Sequence, residues 1–269
     1  VLGDSGQISA AGSDAPQKHS VHEFTIGLVT SISTGIGGAD SIRTGIDDDI
    51  VIGGMAGDVI DSGAGKDIVL GDNGFIDYVL RERDASTSFG DLDSLDIDII
   101  STMAPNDGGA DTITAGGGND FVFGGTAGDT ISGDDGNDLV FGDHGKIEAK
   151  DKFGREQRID ASLLPLNLAL DAALIATPDV RPVHPFTWTS IDTRNADGGG
   201  VDLSRGNDGD DSLIGGQGGD SIIAGAGDDD IIGGHAGNLF AGDGSDDNNY
   251  GGQDGNDLID AGSGNDVVA

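Results

Sequence analysis

The sequence predicts an all-β chain: a right-handed parallel β-roll, a β-solenoid of 18 residues per coil, interrupted by β-hairpin inserts. Three observations carry that expectation. They are a nine-residue repeat, glycine and aspartate at fixed places within it, and longer excursions that return as β-branched arms. GIGGADSIR, TGIDDDIVI, GGMAGDVID and SGAGKDIVL run from Gly35 to Leu70, and NDGGADTIT, AGGGNDFVF, GGTAGDTIS and GDDGNDLVF from Asn106 to Phe141. A third block opens at Asp197 with DGGGVDLSR, GNDGDDSLI, GGQGGDSII and AGAGDDDII. It decays through GGHAGNLFA and a ten-residue unit, then resumes as GQDGNDLID and AGSGNDVVA. A short fixed period marks a solenoid, because each unit can bury its apolar residue only against its neighbours.

Each part of the template G-G-x-G-x-D-x-U-x, with U apolar, has a physical task. The glycines permit tight turns with positive φ and leave backbone carbonyls bare as oxygen donors. The x-U-x triplet is a short strand with its central side chain inward and its neighbours outward. Two units make one coil, and stacking coils about 4.8 Å apart pairs every strand in parallel with the one two units later. The sixth-position carboxylates then line each edge in a column. Unneutralised, they would repel; a hard divalent cation between successive turns resolves the repulsion with oxygen ligands.

This template resembles the calcium-binding nonapeptide of the RTX (repeats-in-toxin) family, of the large modular, adhesin-like kind. The resemblance covers the three blocks, with glycine, aspartate and apolar positions recurring together. It implies calcium as the cofactor, in a number of ions on the order of ten. By register the candidate ligands are Asp40, Asp49, Asp58 and Asp67 in the first block, and Asp111, Asp120, Asp129 and Asp138 in the second. Asp202, Asp211, Asp220, Asp229, Asp247, Asp257 and Asp266 carry the third. Asn238 takes the place of an aspartate and Asn249 that of a core apolar residue, so binding is expected to weaken there.

Composition agrees. The 269 residues hold 49 Asp+Glu against 13 Lys+Arg, a formal net charge of −36, with 50 glycines and only 4% aromatics. Scattered acids in such a chain would predict disorder; acids in register predict cation sites that fold when neutralised. The charge argues against nucleic acid and anionic membrane partners. No cysteine is present, so disulfides and thiolate sites are excluded. The longest apolar stretch, Leu163 to Ala176, is interrupted by Pro165, Asn167 and Asp171 and is too short to span a membrane. No signal peptide is recognisable at Val1, and both termini read as cuts within repeat motifs.

A longer repeat overlies the short one. The tetrads Gly3-Asp4-Ser5-Gly6, Gly71-Asp72-Asn73-Gly74 and Gly142-Asp143-His144-Gly145 each lead into an excursion. Each returns through an alternating or β-branched arm: FTIGLVTSIST, LDIDIISTM and FTWTSIDT. The expected organisation is a tetrad with hairpin insert at 1–34, repeat blocks at 35–76, 106–147 and 197–269, a hairpin insert at 77–105 and a longer insert at 148–196. Leu163 to Ala176 fits a short helix or a further strand equally well.

Alternate strands of the first two blocks are apolar throughout, as in Ile50-Val51-Ile52, Ile68-Val69-Leu70, Phe121-Val122-Phe123 and Leu139-Val140-Phe141. One sheet therefore has an apolar outer face that must be covered. Phe24, Ile26, Tyr78, Val79, Ile97 and Ile99 on the arms are the expected cover, and a subunit contact in a fibre is the alternative.

Catalytic motifs are absent or explained by the repeat. Gly3-Asp4-Ser5-Gly6 resembles a serine-protease nucleophile loop, but Asn73 and His144 replace Ser5 in the sister tetrads, which marks a turn. Gly63-Ala64-Gly65-Lys66 lacks the first glycine and the Ser/Thr of a phosphate loop. No H-E-x-x-H or G-x-S-x-G occurs, the five histidines are scattered, and no outward Thr file suits an ice-binding surface. The expectation is a non-enzymatic, calcium-folded segment of a secreted or cell-surface protein: an adhesin, stalk or filament block, free to form a homo-oligomer through the apolar face or the roll ends. The alternative is a calcium-triggered folding and secretion module attached to a toxin or enzyme.

Overall fold

The computed structural model describes residues 1–10, 26–78, 97–148, 190–193, 198–235 and 255–269. All regular structure among them is β, in two parallel sheets and one antiparallel sheet. The x-U-x triplets form the parallel sheets, which are open and consistent with a β-roll. One parallel sheet, here the inner sheet, contains β4 (Ile50–Ile52), β6 (Ile68–Leu70), β10 (Phe121–Phe123), β12 (Leu139–Phe141), β16 (Ser212–Ile214), β18 (Asp230–Ile232) and β20 (Val267–Val268). The other, the outer sheet, contains β3 (Ser41–Gly45), β5 (Val59–Gly63), β9 (Thr112–Gly117), β11 (Thr130–Asp135), β15 (Leu203–Asp208), β17 (Ser221–Ala226) and β19 (Leu258–Asp260).

The ladders run straight across the excursions. Phe121 pairs with Ile68 and also with Leu139, and Leu139 pairs with Ser212. The three sequence blocks therefore form one continuous stack, because parallel register depends on repeat position and not on distance along the chain. Between the two parallel sheets lies a core of the predicted central side chains, including Val51, Val69, Val122, Val140, Ile60, Ile113, Ile131 and Ile222. Ser204 occupies one such place, between Ile131 and Ile222 in register, fully buried with no hydrogen-bond partner for its hydroxyl.

The excursion arms assemble into the third sheet. β1 (Gly6–Ala10), β2 (Ile26–Ser31), β7 (Gly74–Asp77), β8 (Ile99–Thr102), β13 (Gly145–Glu148) and β14 (Ser190–Thr193) pair antiparallel in that order. This sheet covers the apolar face of the inner sheet. Ile68, Leu70, Phe123, Leu139 and Phe141 are buried against Val29, Ile76, Ile100, Ile147 and Ile191, with Phe123 and Phe141 stacked at 4.7 Å. The cover is thus intramolecular, so the apolar face is not available as a fibre contact. Tyr78 and Ile97 belong to it and Ile26 packs at its margin, as expected. Strand alternation puts Ile100 rather than Ile99 on the facing side. Phe24 and Val79 lie outside the described residues, as does Leu163 to Ala176.

Candidate metal centre

Every parallel strand is entered through a glycine turn that ends on a sixth-position aspartate. Parallel stacking brings these aspartates together in two columns, one at each edge of the sheet pair. The first column, at the turns from inner to outer sheet, is Asp40, Asp58, Asp111, Asp129, Asp202, Asp220 and Asp257. In it each backbone N–H donates to the Oδ1 of the next aspartate at 2.7–2.9 Å. The second, at the turns from outer to inner sheet, is Asp49, Asp67, Asp120, Asp138, Asp211, Asp229 and Asp266, with the same bonds at 2.7–3.2 Å. Fourteen of the fifteen sequence-predicted ligands fall in these columns. Asp247 does not: it lies outside the described residues, with Asn238 and Asn249, and the columns pass directly from Asp220 to Asp257 and from Asp229 to Asp266.

From Asp58 and Asp67 onward each column aspartate accepts a backbone N–H on Oδ1, and in ten members of the columns Oδ2 is orphaned. The Oδ2 atoms of Asp40, Asp58, Asp67, Asp111, Asp120, Asp129, Asp138, Asp202, Asp211 and Asp229 are buried with no hydrogen-bond partner. Each buried, unpaired anionic oxygen costs several kcal/mol. Arg43 and Lys146 do not relieve that cost, since they pair with Asp61, Glu148 and Asp192. Burial, reinforced by neighbouring carboxylates, pushes Asp111, Asp120, Asp138 and Asp211 up to about 8 and Asp129 to about 10.

The surroundings of Oδ2 suit a hard cation. A Cβ placed on Gly124 would meet both Asp129 Oδ2 and the Gly142 carbonyl oxygen, and one on Gly71 would meet Asp111 Oδ2 and the Gly124 carbonyl. Gly53, Gly142 and Gly215 repeat the arrangement up the first column, and Gly206 shows it in the second, beside Asp211 Oδ2 and the Ala224 carbonyl. The bare glycine face thus leaves a cradle of one carboxylate and stacked backbone carbonyls. Among the described residues no three acidic or histidine side chains converge on a point, so nitrogen- or thiolate-type coordination has no basis there. Carbonyl and single-carboxylate donors are what calcium accepts.

The tetrad aspartates have a separate task that the sequence reading did not assign. Asp72 Oδ1 accepts from the Gly109 N–H at 2.9 Å where the chain returns from its excursion, and Oδ2 accepts from the Thr126 N–H one coil on. Asp143 does the same for Gly200 and Gln217, and Asp4 for Gly38 and Met55. Both oxygens are occupied, so these residues stitch the outgoing and returning halves of a turn. The recurrence of aspartate at the second place of each tetrad was the available signal.

The family model described as RTX calcium-binding nonapeptide repeat (4 copies) matches residues 34–69, 107–131, 123–146, 205–234 and 252–268. No curated protein matches the chain. The matched segments hold all the column aspartates but Asp202, and they are RTX calcium-binding nonapeptide repeats.

Proposed function

We propose that this chain is a calcium-folded structural segment of a large secreted or cell-surface RTX protein, serving as an adhesin, stalk or filament block. The observation that carries the reading is the pair of unbroken aspartate columns whose orphaned Oδ2 atoms face glycine carbonyls. The fourteen column aspartates are the ligands. Twelve intervals separate successive members, in keeping with a number of ions on the order of ten. Bound calcium supplies the positive charge that lets the carboxylates remain ionised while buried. The fold is then a right-handed β-roll of 18-residue coils with hairpin inserts, formed outside the cell where millimolar calcium saturates sites too weak to fill in the cytosol.

A structural role is favoured over a secretion module by the arms, which join into one sheet spanning all three excursions. No catalysis is assigned: the tetrads that echo catalytic loops act as turns. Among the described residues no helix is long and apolar enough to cross a membrane. With the apolar face covered, any homo-oligomer or fibre forms through the roll ends. Chelation tests the proposal. Far-UV circular dichroism at pH 7.5 loses its β signal in EDTA and regains it with calcium in excess, and a spectrum indifferent to chelator refutes calcium-dependent folding.

A further inference from the structure

The two columns differ in how their turns are built. Every turn of the second column is one contiguous stretch, Thr44–Asp49, Ser62–Asp67, Ala115–Asp120, Gly133–Asp138, Gly206–Asp211, Ala224–Asp229 and Ala261–Asp266. The first column is interrupted, because every excursion leaves from its edge. The turns that end on Asp40, Asp111 and Asp202 are each split into an outgoing and a returning half, joined by Asp4–Gly38, Asp72–Gly109 and Asp143–Gly200 across 34, 37 and 57 residues. The turn ending on Asp257 follows the chain from β18 to β19 across the fourth interruption.

These split turns alternate with the intact ones that end on Asp58, Asp129 and Asp220. Between the parallel strands the chain makes two coils from one tetrad to the next, Leu2 to Ile52 to Leu70, then Phe123 and Phe141, then Ile214 and Ile232. Consequently each neighbouring pair in the first column includes one split turn, and no pair in the second column does.

The second column also carries a side-chain ladder of its own at the fifth position. The Lys66 N–H donates to Asp48 Oδ1, Asn137 to Asn119, Asp210 to Asn137, Asp228 to Asp210 and Asn265 to Asp228, at 2.7–3.1 Å. The equivalent residues of the first column are Ala39, Gly57, Ala110, Gly128, Val201, Gly219 and Asn256, only the last of which could contribute a side-chain acceptor. Asp135 and Asp208 add further carboxylates at the third position of second-column turns.

We propose that the sites fill in order: calcium first occupies the second-column intervals between contiguous turns, Asp49–Asp67, Asp120–Asp138 and Asp211–Asp229, and the first column fills at higher calcium together with docking of the antiparallel sheet. This rests on the reading that the columns bind calcium. The physical cause is loop closure. The second-column intervals Asp49–Asp67, Asp120–Asp138 and Asp211–Asp229 each join two contiguous six-residue turns only 18 residues apart, whereas every first-column interval includes a split turn that must first close an excursion. Closure becomes less probable as the three-halves power of loop length, so a loop about six times longer lowers site affinity on the order of tenfold. The stitching aspartates Asp4, Asp72 and Asp143, of which the last two are buried, tie that closure to the arms.

The test is hydrogen exchange read by mass spectrometry on the full chain across a calcium titration. Amides around Asn119–Asp120 and Asn137–Asp138 become protected first, and those of β7, β8 and β13 at about tenfold higher calcium. The double variant Asp111→Asn, Asp129→Asn keeps the first step and shifts the second to higher calcium; Asp120→Asn, Asp138→Asn weakens the first. A single step in which all amides of the unmodified chain gain protection together, or protection of β7 and β8 first, overturns the order while leaving calcium binding intact. No protection at any calcium concentration overturns the calcium reading itself.

Discussion

Acidification is expected to replace calcium in part. Asp111, Asp120, Asp138 and Asp211 stand near 8 in the folded, metal-free chain against an ordinary value of 3.8, chiefly because burial penalises the charged form. With folded values raised, the folded state binds more protons than the unfolded state between about pH 4 and pH 8. Stability is then fully present below the unfolded value and lost as pH rises through the folded one. A rise of roughly four units corresponds to about 5 kcal/mol per group at about 1.4 kcal/mol per unit. A domain of this kind has about 5–15 kcal/mol of net stability, so two or three ionised column aspartates suffice to unfold it. In EDTA, circular dichroism should therefore show β structure at pH 5 that disappears by pH 8.5, whereas with calcium in excess the signal persists at both. Calcium addition at pH 5, where the metal-free chain is folded with its column aspartates protonated, should also release protons, measurable in a weakly buffered titration. A metal-free chain equally folded at pH 5 and pH 8.5, or unfolded at both, would refute the reasoning.

Three substitutions probe the packing and the cradle. Ser204→Val replaces a buried hydroxyl that lacks a partner and fits a branched side chain into the column between Ile131 and Ile222. It should stabilise the calcium-loaded chain by about 1–2 kcal/mol, with Tm rising roughly 2–4 °C per kcal/mol; an unchanged or lower Tm counts against it. Phe123→Ala removes a fully buried ring stacked on Phe141 and should cost about 3–5 kcal/mol by denaturant melt, with a loss below 1 kcal/mol showing that the antiparallel sheet does not cover it. Gly124→Ala puts a methyl against the Gly142 carbonyl and Asp129 Oδ2 and should reduce calcium stoichiometry in calorimetry. Gly117→Ala, where a Cβ meets nothing within 4 Å, should leave it unchanged.

Much of this was legible because the repeat is local and its chemistry simple. Nine-residue spacing alone puts Val69, Val122 and Val140 in the interior and Asp67, Asp120 and Asp138 on one edge, since in a parallel stack any residue lies beside its equivalent in the next coil. The need for a cover followed from two apolar flanks per strand. Once the repeat decays, register along the chain no longer equals register in the stack, and only strand pairing shows that Asp257 follows Asp220.

Sequence by itself thus determined the turn, the strand triplet, the inward residue and the acid that needs a cation, all set within a span of nine residues. Tertiary structure decided what depends on residues far apart in the chain. It closed the ladder from Ile68 to Phe121, joined three excursions into one covering sheet, and gave both oxygens of Asp72 to Gly109 and Thr126. It also made the two aspartate columns unequal, because every excursion leaves from the same edge and splits only the turns it passes through.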